Sequence, residues 1–181
     1  KFWKSSELVG QITIAPASLS KLPNLGEKDI FRSLQYLPGI SAINDGSSGL
    51  YIRGGTPDQN LVLLDGITVY HVDHFFFFYS AFNADAIKDV QVYKGGFDAK
   101  YGGRISSVVD LTGKTGDMNN FRLSLGGSML SLNGVAEIPL NGKGSILLSA
   151  RRSYADLINI GLYNDIFNFL SGEDVASTST P

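Results

Sequence analysis

Strict alternation of apolar and polar residues marks the last third of the chain. Leu123 and Leu125 are separated by one residue, Arg122 and Ser124 stand at the polar positions, and the same period of two continues downstream. A period of two is that of a β-strand, whose successive side chains point to opposite faces. The pattern predicts three strands, in residues 121–129, 132–140 and 145–154.

An amphipathic helix and several shorter strands are predicted upstream. Ile30, Phe31, Leu34 and Leu37 recur at the spacing of one helical face, and Pro38-Gly39 ends the pattern. Turn signals support the rest, because the Asp-Gly pair 65–66 is typical of a hairpin and the Asn at 83 can cap one helical turn. Strands are predicted near residues 9–16, 49–55, 60–70, 90–96 and 104–113. Residues 1–117 are therefore expected to form a small α+β domain of short strands.

The three late strands have two interpretations. Their length of about ten residues, with one apolar face and one small or polar face, suits the tilted strands of an outer-membrane barrel. A soluble antiparallel sheet gives a similar pattern. Three strands cannot close a barrel, and an open sheet edge cannot face lipid. The membrane interpretation therefore predicts that the chain is a piece of a longer polypeptide.

Composition excludes several classes of protein. The 181 residues suffice for one ordinary domain, or for one domain and part of another. A net charge of -2, with 18% charged residues, gives no field that would attract nucleic acid. The absence of cysteine excludes disulfides and cysteine zinc sites. Glycine, at 21 residues, is well above its usual frequency of about 7%.

Catalytic motifs are not supported by the sequence. Gly113-Lys114-Thr115 looks like the end of a phosphate-binding loop, but Val108 stands where that motif needs glycine, and no helix pattern follows. Neither glycine-flanked serine segment forms a nucleophile elbow, and no carboxylate pair suggests acid–base chemistry. We therefore expect a protein that is not an enzyme and needs no cofactor.

A short segment holds both histidines of the chain. His71 and His74 flank Val72 and Asp73, so a metal or ligand contact is one interpretation, but no further ligand lies beside them in sequence. We expect a hydrogen-bonded loop and no metal site. The aromatic run 74–82 follows directly, and it predicts either a buried wedge of the core or an aromatic binding surface.

Two arginines stand at bends rich in glycine. Arg53 precedes Gly54-Gly55, and Arg104 follows Gly102-Gly103. Glycine lets a backbone approach its neighbour closely, so these arginines can reach a carboxylate in an adjoining structure. The alternative is that both side chains are simply solvated.

Three blocks in a fixed order resemble the plug domain of TonB-dependent outer-membrane receptors. They read LQYLPGIS, YIRGGTPDQNLVLLDGITVY and AIKDVQVYKGGFDAKYGGRISSVVDLTGKTG, and the resemblance covers about residues 9 to 117. It implies a plug domain in residues 1–117 and the first strands of an incomplete transmembrane β-barrel in residues 118–181. The segment SARRSYADLI is similar to large-barrel receptors that carry an upstream carboxypeptidase-regulatory-like domain.

The resemblance also implies a location, partners and contacts. The plug would sit in the lumen of a barrel in a Gram-negative outer membrane, contacting barrel and lipid, and the periplasmic protein TonB would move it. Arg53 and Arg104 would pair with acidic residues of the barrel interior. The substrate would be a siderophore, vitamin, peptide or glycan. Its expected contacts are Thr56, Asp58, Gln59, His71, Asp73, His74, Phe75 and Phe76.

Two other functions stay open at this stage. Some receptors of this family carry an extra N-terminal domain that signals ligand occupancy, and only sequence upstream of Lys1 would reveal it. A soluble periplasmic module that reuses the plug fold is the other alternative, although the apolar faces of the late strands would then need a cover. Residues 1–6 do not resemble the TonB-binding segment of the family.

Overall fold

The computed structural model describes residues 3–5, 10–16, 28–42, 49–74, 79–128 and 131–153. These residues form one short α-helix, two 3₁₀ turns and thirteen strands. The helix α1 spans Ile30–Leu34, and the 3₁₀ turns span Pro57–Gln59 and Ala84–Ala86. The strands are β1 (Trp3–Ser5), β2 (Gln11–Ile14), β3 (Ile40–Ser41), β4 (Tyr51–Ile52), β5 (Asn60–Leu64), β6 (Ile67–Thr68), β7 (Asp73–His74), β8 (Tyr79–Ser80), β9 (Ile87–Tyr93), β10 (Ser107–Gly113), β11 (Arg122–Gly127), β12 (Ser131–Pro139) and β13 (Ser145–Ser153).

The N-terminal part is built on a mixed six-stranded sheet. Its strand order is β1-β2-β9-β10-β5-β6, and β10 runs parallel to β5 while the other neighbours are antiparallel. Strand β5 is almost continuously apolar, and both β5 and β10 are mostly buried, as expected for a parallel pair covered on both faces. Two further hairpins, β3-β4 and β7-β8, stand outside this sheet. The predicted α+β class is confirmed.

The main core lies between this sheet and α1. Val90 and Val109 from the sheet are fully buried, as is Phe31 from the helix. The Phe31 ring stacks on Phe82 with centroids 5.6 Å apart. Phe82 is the end of the predicted aromatic run, so at that end the run belongs to the core. Burying each such side chain stabilises the fold by about 1.5–3 kcal/mol.

The helix is shorter than its apolar pattern predicts. Asp29 caps its start, because the carboxylate accepts a hydrogen bond of 3.1 Å from the backbone N–H of Arg32. The helix ends at Leu34, and turns follow as far as Gly39, whose φ is +77°. Leu37 lies in these turns and is nevertheless buried, since they fold back onto the core.

The last three strands form a separate antiparallel sheet in the order β11-β12-β13. The pair Asn141-Gly142, both with positive φ, makes the tight turn between β12 and β13. Between the two sheets, residues 114–121 connect the end of β10 to the start of β11, and the predicted domain boundary after residue 117 falls in this connection. No helix among the described residues has the length and apolarity to cross a bilayer.

Candidate functional site

The three-stranded sheet turns its apolar face away from the α+β domain. On this outer face Leu125 is 78% exposed, Leu132 60% and Leu148 57%. On the inner face, towards the α+β domain, Ser131 and Val135 are buried. A soluble antiparallel sheet places its apolar side chains on the core and its polar ones in water. This sheet has the opposite arrangement, so its outer face requires an apolar environment.

Side chains of the inner face contact one edge of the α+β domain. The Asn83 amide donates a hydrogen bond of 2.9 Å to the Ser149 hydroxyl. The Asn133 amide donates to the carboxylate of Asp85 at 3.4 Å. We call this contact the seam, formed by Phe82, Asn83 and Asp85 on the domain side and by Asn133, Ser149 and Arg151 on the strand side; Arg151 donates to the Phe82 carbonyl at 3.5 Å.

A capped 3₁₀ turn presents the domain side of the seam. The Asn83 side-chain oxygen accepts from the backbone N–H of Asp85 at 3.1 Å and so starts the turn Ala84–Ala86. Because the oxygen of this amide faces its own turn, the nitrogen is left to reach Ser149. Ala84 is buried and fixes the turn on the core. One asparagine therefore caps the turn and joins it to β13.

Asp85 is the most connected residue of the seam. Its second carboxylate oxygen forms an ion pair of 2.8 Å with Lys28, and both side chains are more than a third exposed. The Lys114 ammonium donates to the Asp85 carbonyl at 2.5 Å. A polar cavity of about 150 Å³ lies beside these groups, between the turn and strands β11 and β12. Asp85 thus links the start of α1, the exit from β10 and the strand sheet.

The connection between the two sheets is fixed separately. The Ser145 hydroxyl donates to the Gly116 carbonyl at 2.7 Å, and the Asp117 N–H donates to the Glu137 carboxylate at 2.8 Å. Arg122 forms an ion pair of 2.9 Å with Asp117. These bonds hold the connection to the periphery of β12 and β13, so the two sheets are joined at two places.

Arg53 occupies a strained turn packed on glycines. It has φ of +50° and is followed by Gly54 at +84°, the left-handed pair of a tight hairpin turn. One of its terminal nitrogens lies 3.0 Å from where a Cβ on Gly95 would be, and the other lies 3.7 Å from the same position on Gly10. Burial, and then this guanidinium, lower the pKa of the neighbouring Lys94. Glycine at these positions makes room for the arginine side chain.

Arg104 is exposed and follows Gly103, whose φ is +84°. Within the described ranges neither Arg104 nor Arg53 forms an ion pair, so neither arginine takes part in the seam. Their pairing with acidic residues of other barrel strands stays a prediction.

The first group of expected substrate contacts lies on the 3₁₀ turn Pro57–Gln59. Asp58 is exposed, whereas Thr56 and Gln59 are half-buried. The backbone carbonyl of Gln59 accepts a hydrogen bond of 3.1 Å from the Ser106 N–H, which ties this turn to the start of β10. The turn can present Asp58 to a ligand, and this role stays a prediction.

The second group lies beyond the β5-β6 hairpin. His71 is exposed. The backbone of Asp73 and His74 forms β7, and their side chains lie outside the described part of the structure. Phe75 and Phe76 lie entirely outside it. The described residues contain no group of three or more side chains that could together bind a metal ion. A substrate role for this group is therefore still a prediction.

Sequence reasoning missed the seam residues. Asn83 was predicted only as a cap, and Asp85, Asn133 and Ser149 were not singled out. Polar residues at most of the alternate positions of β12 and β13 do signal a largely polar inner face. Nothing in the pattern reveals which turn of the α+β domain meets that face, because this depends on how the two sheets pack.

Residues 7–109, more than half of the chain, match the family model described as TonB-dependent Receptor Plug Domain. The chain belongs to this family, and its α+β domain is the plug. A search of curated proteins found no match.

Solved structures share the fold of the plug and the adjoining strands. The siderophore receptor PirA from Pseudomonas aeruginosa superposes with a TM-score of 0.62 at 20% identity, covering 82% of this chain and 29% of that one. The ferric enterobactin receptor PfeA from the same organism gives 0.59 at 19%, with coverages of 81% and 25%. The outer membrane transporter YddB from Escherichia coli gives 0.55 at 14%, with coverages of 84% and 28%. The chain therefore spans less than a third of each of these proteins.

Proposed function

We propose that this chain is the plug and first barrel strands of an outer-membrane receptor that imports a scarce nutrient with energy delivered by TonB. The observation that carries the proposal is the reversed polarity of the β11–β13 sheet. Leu125, Leu132 and Leu148 are exposed on the outer face, while most residues of the inner face are polar and three of them hydrogen-bond to the plug. Strands of a membrane barrel carry apolar side chains towards lipid and polar ones towards the lumen.

The same observation weighs against a soluble periplasmic module. In water the outer face would leave a row of large apolar side chains uncovered, and contiguous patches of this kind mark lipid or partner contacts. The signalling alternative is compatible with the proposal, because it adds a domain and leaves the plug and barrel unchanged.

In this proposal the plug closes the lumen until it is displaced. It has its own apolar core around Phe31, Val90 and Val109, so it forms a solid body. It contacts the strands through polar side chains, which exchange for water more readily than an apolar interface does. A domain with a packed apolar core and a polar contact surface suits a plug that can be displaced.

The proposed substrate surface consists of the turn around Asp58 and the segment that begins at His71. An exposed carboxylate, an exposed imidazole and nearby aromatic residues can bind a siderophore, a vitamin, a peptide or a glycan, since such sites combine apolar stacking with a few polar groups. PirA and PfeA are named as a siderophore receptor and a ferric enterobactin receptor. At 20% identity or less, that binding does not fix the substrate of this chain.

Removal of the plug from the full-length polypeptide tests the proposal. The intact protein and a version lacking residues 7–109 are expressed in a Gram-negative host, and sensitivity to a glycopeptide antibiotic too large for general porins is measured. We expect the intact protein to leave the host resistant and the plug-free protein to sensitise it several-fold. Equal resistance, with both proteins shown to be in the outer membrane, would contradict the proposal.

Paired alanine substitutions test the aromatic part of the substrate surface. Replacing Phe75 and Phe76 together should weaken substrate binding to the full-length receptor, with candidate ligands screened by thermal shift. The control is Phe121→Ala, since Phe121 is exposed just before β11 and away from the proposed surface. If Phe75 and Phe76 belong to the core, the double variant will instead lose stability without changing the affinity of the protein that remains folded.

A further inference from the structure

We propose that Asp85 and Asn133 form a latch that holds the plug against β12, and that a solute path opens along the seam when this latch separates. The inference rests on the proposed function and concerns how that closure is held. It names the first contact to break and the side of the lumen on which the opening starts.

Two of the three bonds across the seam are longer than those on either side of it, and the exception is Asn83 to Ser149 at 2.9 Å. Asn133 to Asp85 measures 3.4 Å and Arg151 to the Phe82 carbonyl 3.5 Å, close to the limit for a hydrogen bond. On the plug side, the ion pair between Lys28 and Asp85 measures 2.8 Å. When the seam opens, Asp85 should therefore remain with the plug and separate from Asn133.

The latch depends on a glycine of the neighbouring strand. The side-chain oxygen of Asn133 occupies the position that a Cβ on Gly126 would need. Gly126 and Asn133 are also backbone partners between β11 and β12. Asn133 can thus lie flat across β11 and still reach Asp85, which a side chain at position 126 would prevent.

A small cavity already lies beside the latch. Its walls include Lys28, Gly126, Gly127, Ser128 and Ser131, all of which are small except the lysine. Because no bulky side chain of β11 projects into it, a modest displacement of the turn Ala84–Ala86 enlarges it. Asp85 and Asn133 both line the cavity, so the long bond between them lies at its wall, and this coincidence favours an opening here.

The second junction between plug and strands favours a hinged opening. The connection around Gly116 and Asp117 is held to Ser145 and Glu137 by bonds of 2.7 and 2.8 Å. These are shorter than the two long bonds of the seam. The plug can therefore move away from β12 at Asp85 while it stays attached at the connection.

Conductance of the full-length receptor in planar lipid bilayers tests the latch. Urea is raised until the channel opens, and potassium chloride carries the current. We expect Asn133→Ala and Gly126→Ala each to open at a urea concentration lower by roughly 0.5 M, because each removes or displaces the bond to the Asp85 carboxylate. Asp85→Asn should open lower still, because it also weakens the ion pair with Lys28. Unchanged thresholds in all three correctly folded variants would overturn the latch.

Matched controls separate the latch from general destabilisation. Gly134→Ala adds the same methyl group on β12 away from the cavity lining, where its closest contact is the flexible tip of Leu125 at 3.3 Å. Asp89→Asn removes a plug carboxylate that lies outside the seam. Both should open at the wild-type concentration, and a fall equal to that of the Gly126 variant would overturn the assignment.

Reversible cross-linking provides a test that does not depend on variant stability. The 181 residues contain no cysteine, so Asn83→Cys combined with Ser149→Cys places the only thiol pair of the chain across the seam. Oxidation should abolish conductance in urea, and a reductant should restore it. A control pair, Ser124→Cys with Val135→Cys, joins backbone partners within the strand sheet and should leave opening unchanged. Full conductance with the seam pair oxidised would overturn the proposal.

A plug-free protein separates a failure of the latch from a failure of the proposed function. If the version lacking residues 7–109 conducts without urea, the barrel is present, and any failure of the variants counts against the latch alone. If it does not conduct, the proposed function fails together with the latch.

Discussion

The plug sheet and the strand sheet use the same alternation of side chains in opposite ways. In β9 of the plug, Val90 and Val92 point into a core and are fully buried. In β11 of the strand sheet, Leu123 and Leu125 point outward and are 56% and 78% exposed. The comparison teaches that period two identifies a strand without saying on which side the core lies. What packs against each face decides that question, since Val90 and Val92 meet the plug core and the apolar residues of β11 meet no described part of the plug core.

The residues between the apolar positions are largely polar in both sheets, as Asp89 and Gln91 of β9 show, but they have different partners. In β12 the inward positions include Ser131 and Asn133, which hydrogen-bond in the seam or near it. On the far face of the plug sheet, Tyr93 and Tyr101 pack over Leu61 and leave only part of their rings in water. Burial raises the pKa of Tyr93 to about 12, so this phenol stays neutral at any physiological pH. The far face of the plug sheet thus combines an apolar and aromatic patch with hydrogen-bonded polar residues such as Gln11, Gln91 and Asp110, whereas the outer face of the strand sheet is apolar and exposed.

The largest effect is expected from the plug core. Phe31→Ala should lower the free energy of plug unfolding by about 3–5 kcal/mol, because it removes a fully buried ring and leaves a cavity. Hydrogen exchange of the β9 amides in the full-length protein measures this loss. Leu125→Ala, on the outer face of the strand sheet, is the control and should leave β9 exchange unchanged. Equal exchange in the two variants would remove the distinction between the sheets.

A charge on the outer face should have the next largest effect. Leu125→Arg should destabilise the membrane-inserted barrel by about 2–4 kcal/mol, as expected for arginine facing the bilayer midplane. Insertion is measured as the yield of heat-modifiable protein in the outer membrane. Ser124→Arg, one residue away on the inner face, should insert nearly as well as the wild type. If the inner-face arginine is the more harmful one, the faces have been assigned the wrong way round.

The third largest effect is expected from the buried, hydrogen-bonded pair Asn60 and Ser107 of the plug. Asn60 donates to the Leu50 carbonyl at 2.7 Å and accepts from the Ser107 hydroxyl at 2.8 Å. Asn60→Ala leaves both partners unsatisfied, so the plug should lose about 1–3 kcal/mol. The exposed Asn119→Ala is the matched control, again compared by hydrogen exchange. No loss at position 60 would mean that water replaces the amide.

Two substitutions of Arg53 separate the effect of backbone strain on stability from the effect of the lost charge. Arg53→Gly relieves a left-handed residue and should make the plug about 1 kcal/mol more stable than Arg53→Ala, which keeps the strain. Both variants lose the guanidinium, so both should raise leakage of a bulky antibiotic through the full-length receptor if Arg53 pairs with the barrel. Unchanged leakage in both would count against that pairing.

The smallest effect is expected from pH at the connection between the sheets. Hydrogen bonds from the backbone N–H groups of Asn119 and Asn120 lower the pKa of Asp117 below its usual 3.8. A lowered pKa in the folded state adds stability that is complete above the usual value and is lost as the pH falls through the lowered one. Protection of the two asparagine amides should therefore be complete above pH 3.8 and be lost as the pH falls further below that value. Asp117→Asn should be less protected at neutral pH and show no such step.

Local signals in the sequence predicted much of the fold. The Asp65-Gly66 pair, with φ of +50° and +82°, makes the β5-β6 hairpin as expected. The polar and apolar positions predicted for β12 and β13 lie on the expected faces. These features depend on neighbours in sequence, which a single chain displays directly.

Long-range features could not be predicted in this way. Strand β10 pairs in parallel with β5, and Ser107 opposes Asn60 at the start of that ladder. Either strand would also suit an antiparallel neighbour, so their composition did not determine the partner. The seam was hidden for the same reason, since Asp85 and Asn133 lie 48 positions apart. Short-range rules carry no information about which surfaces meet.

The order of strands in the plug sheet has a mechanical consequence. Among the described strands, β1 is the outermost one of this sheet and pairs with β2, which in turn is held to the rest of the sheet by β9. A force applied at the N-terminal end would break Trp3 from Ile14 first, then the next pair, and later Gln11 from Tyr93. Each step breaks the hydrogen bonds of one residue pair, rather than all the bonds between two strands at once. Traction from that end therefore meets the least resistance, and β10 with its parallel neighbour stays intact longest.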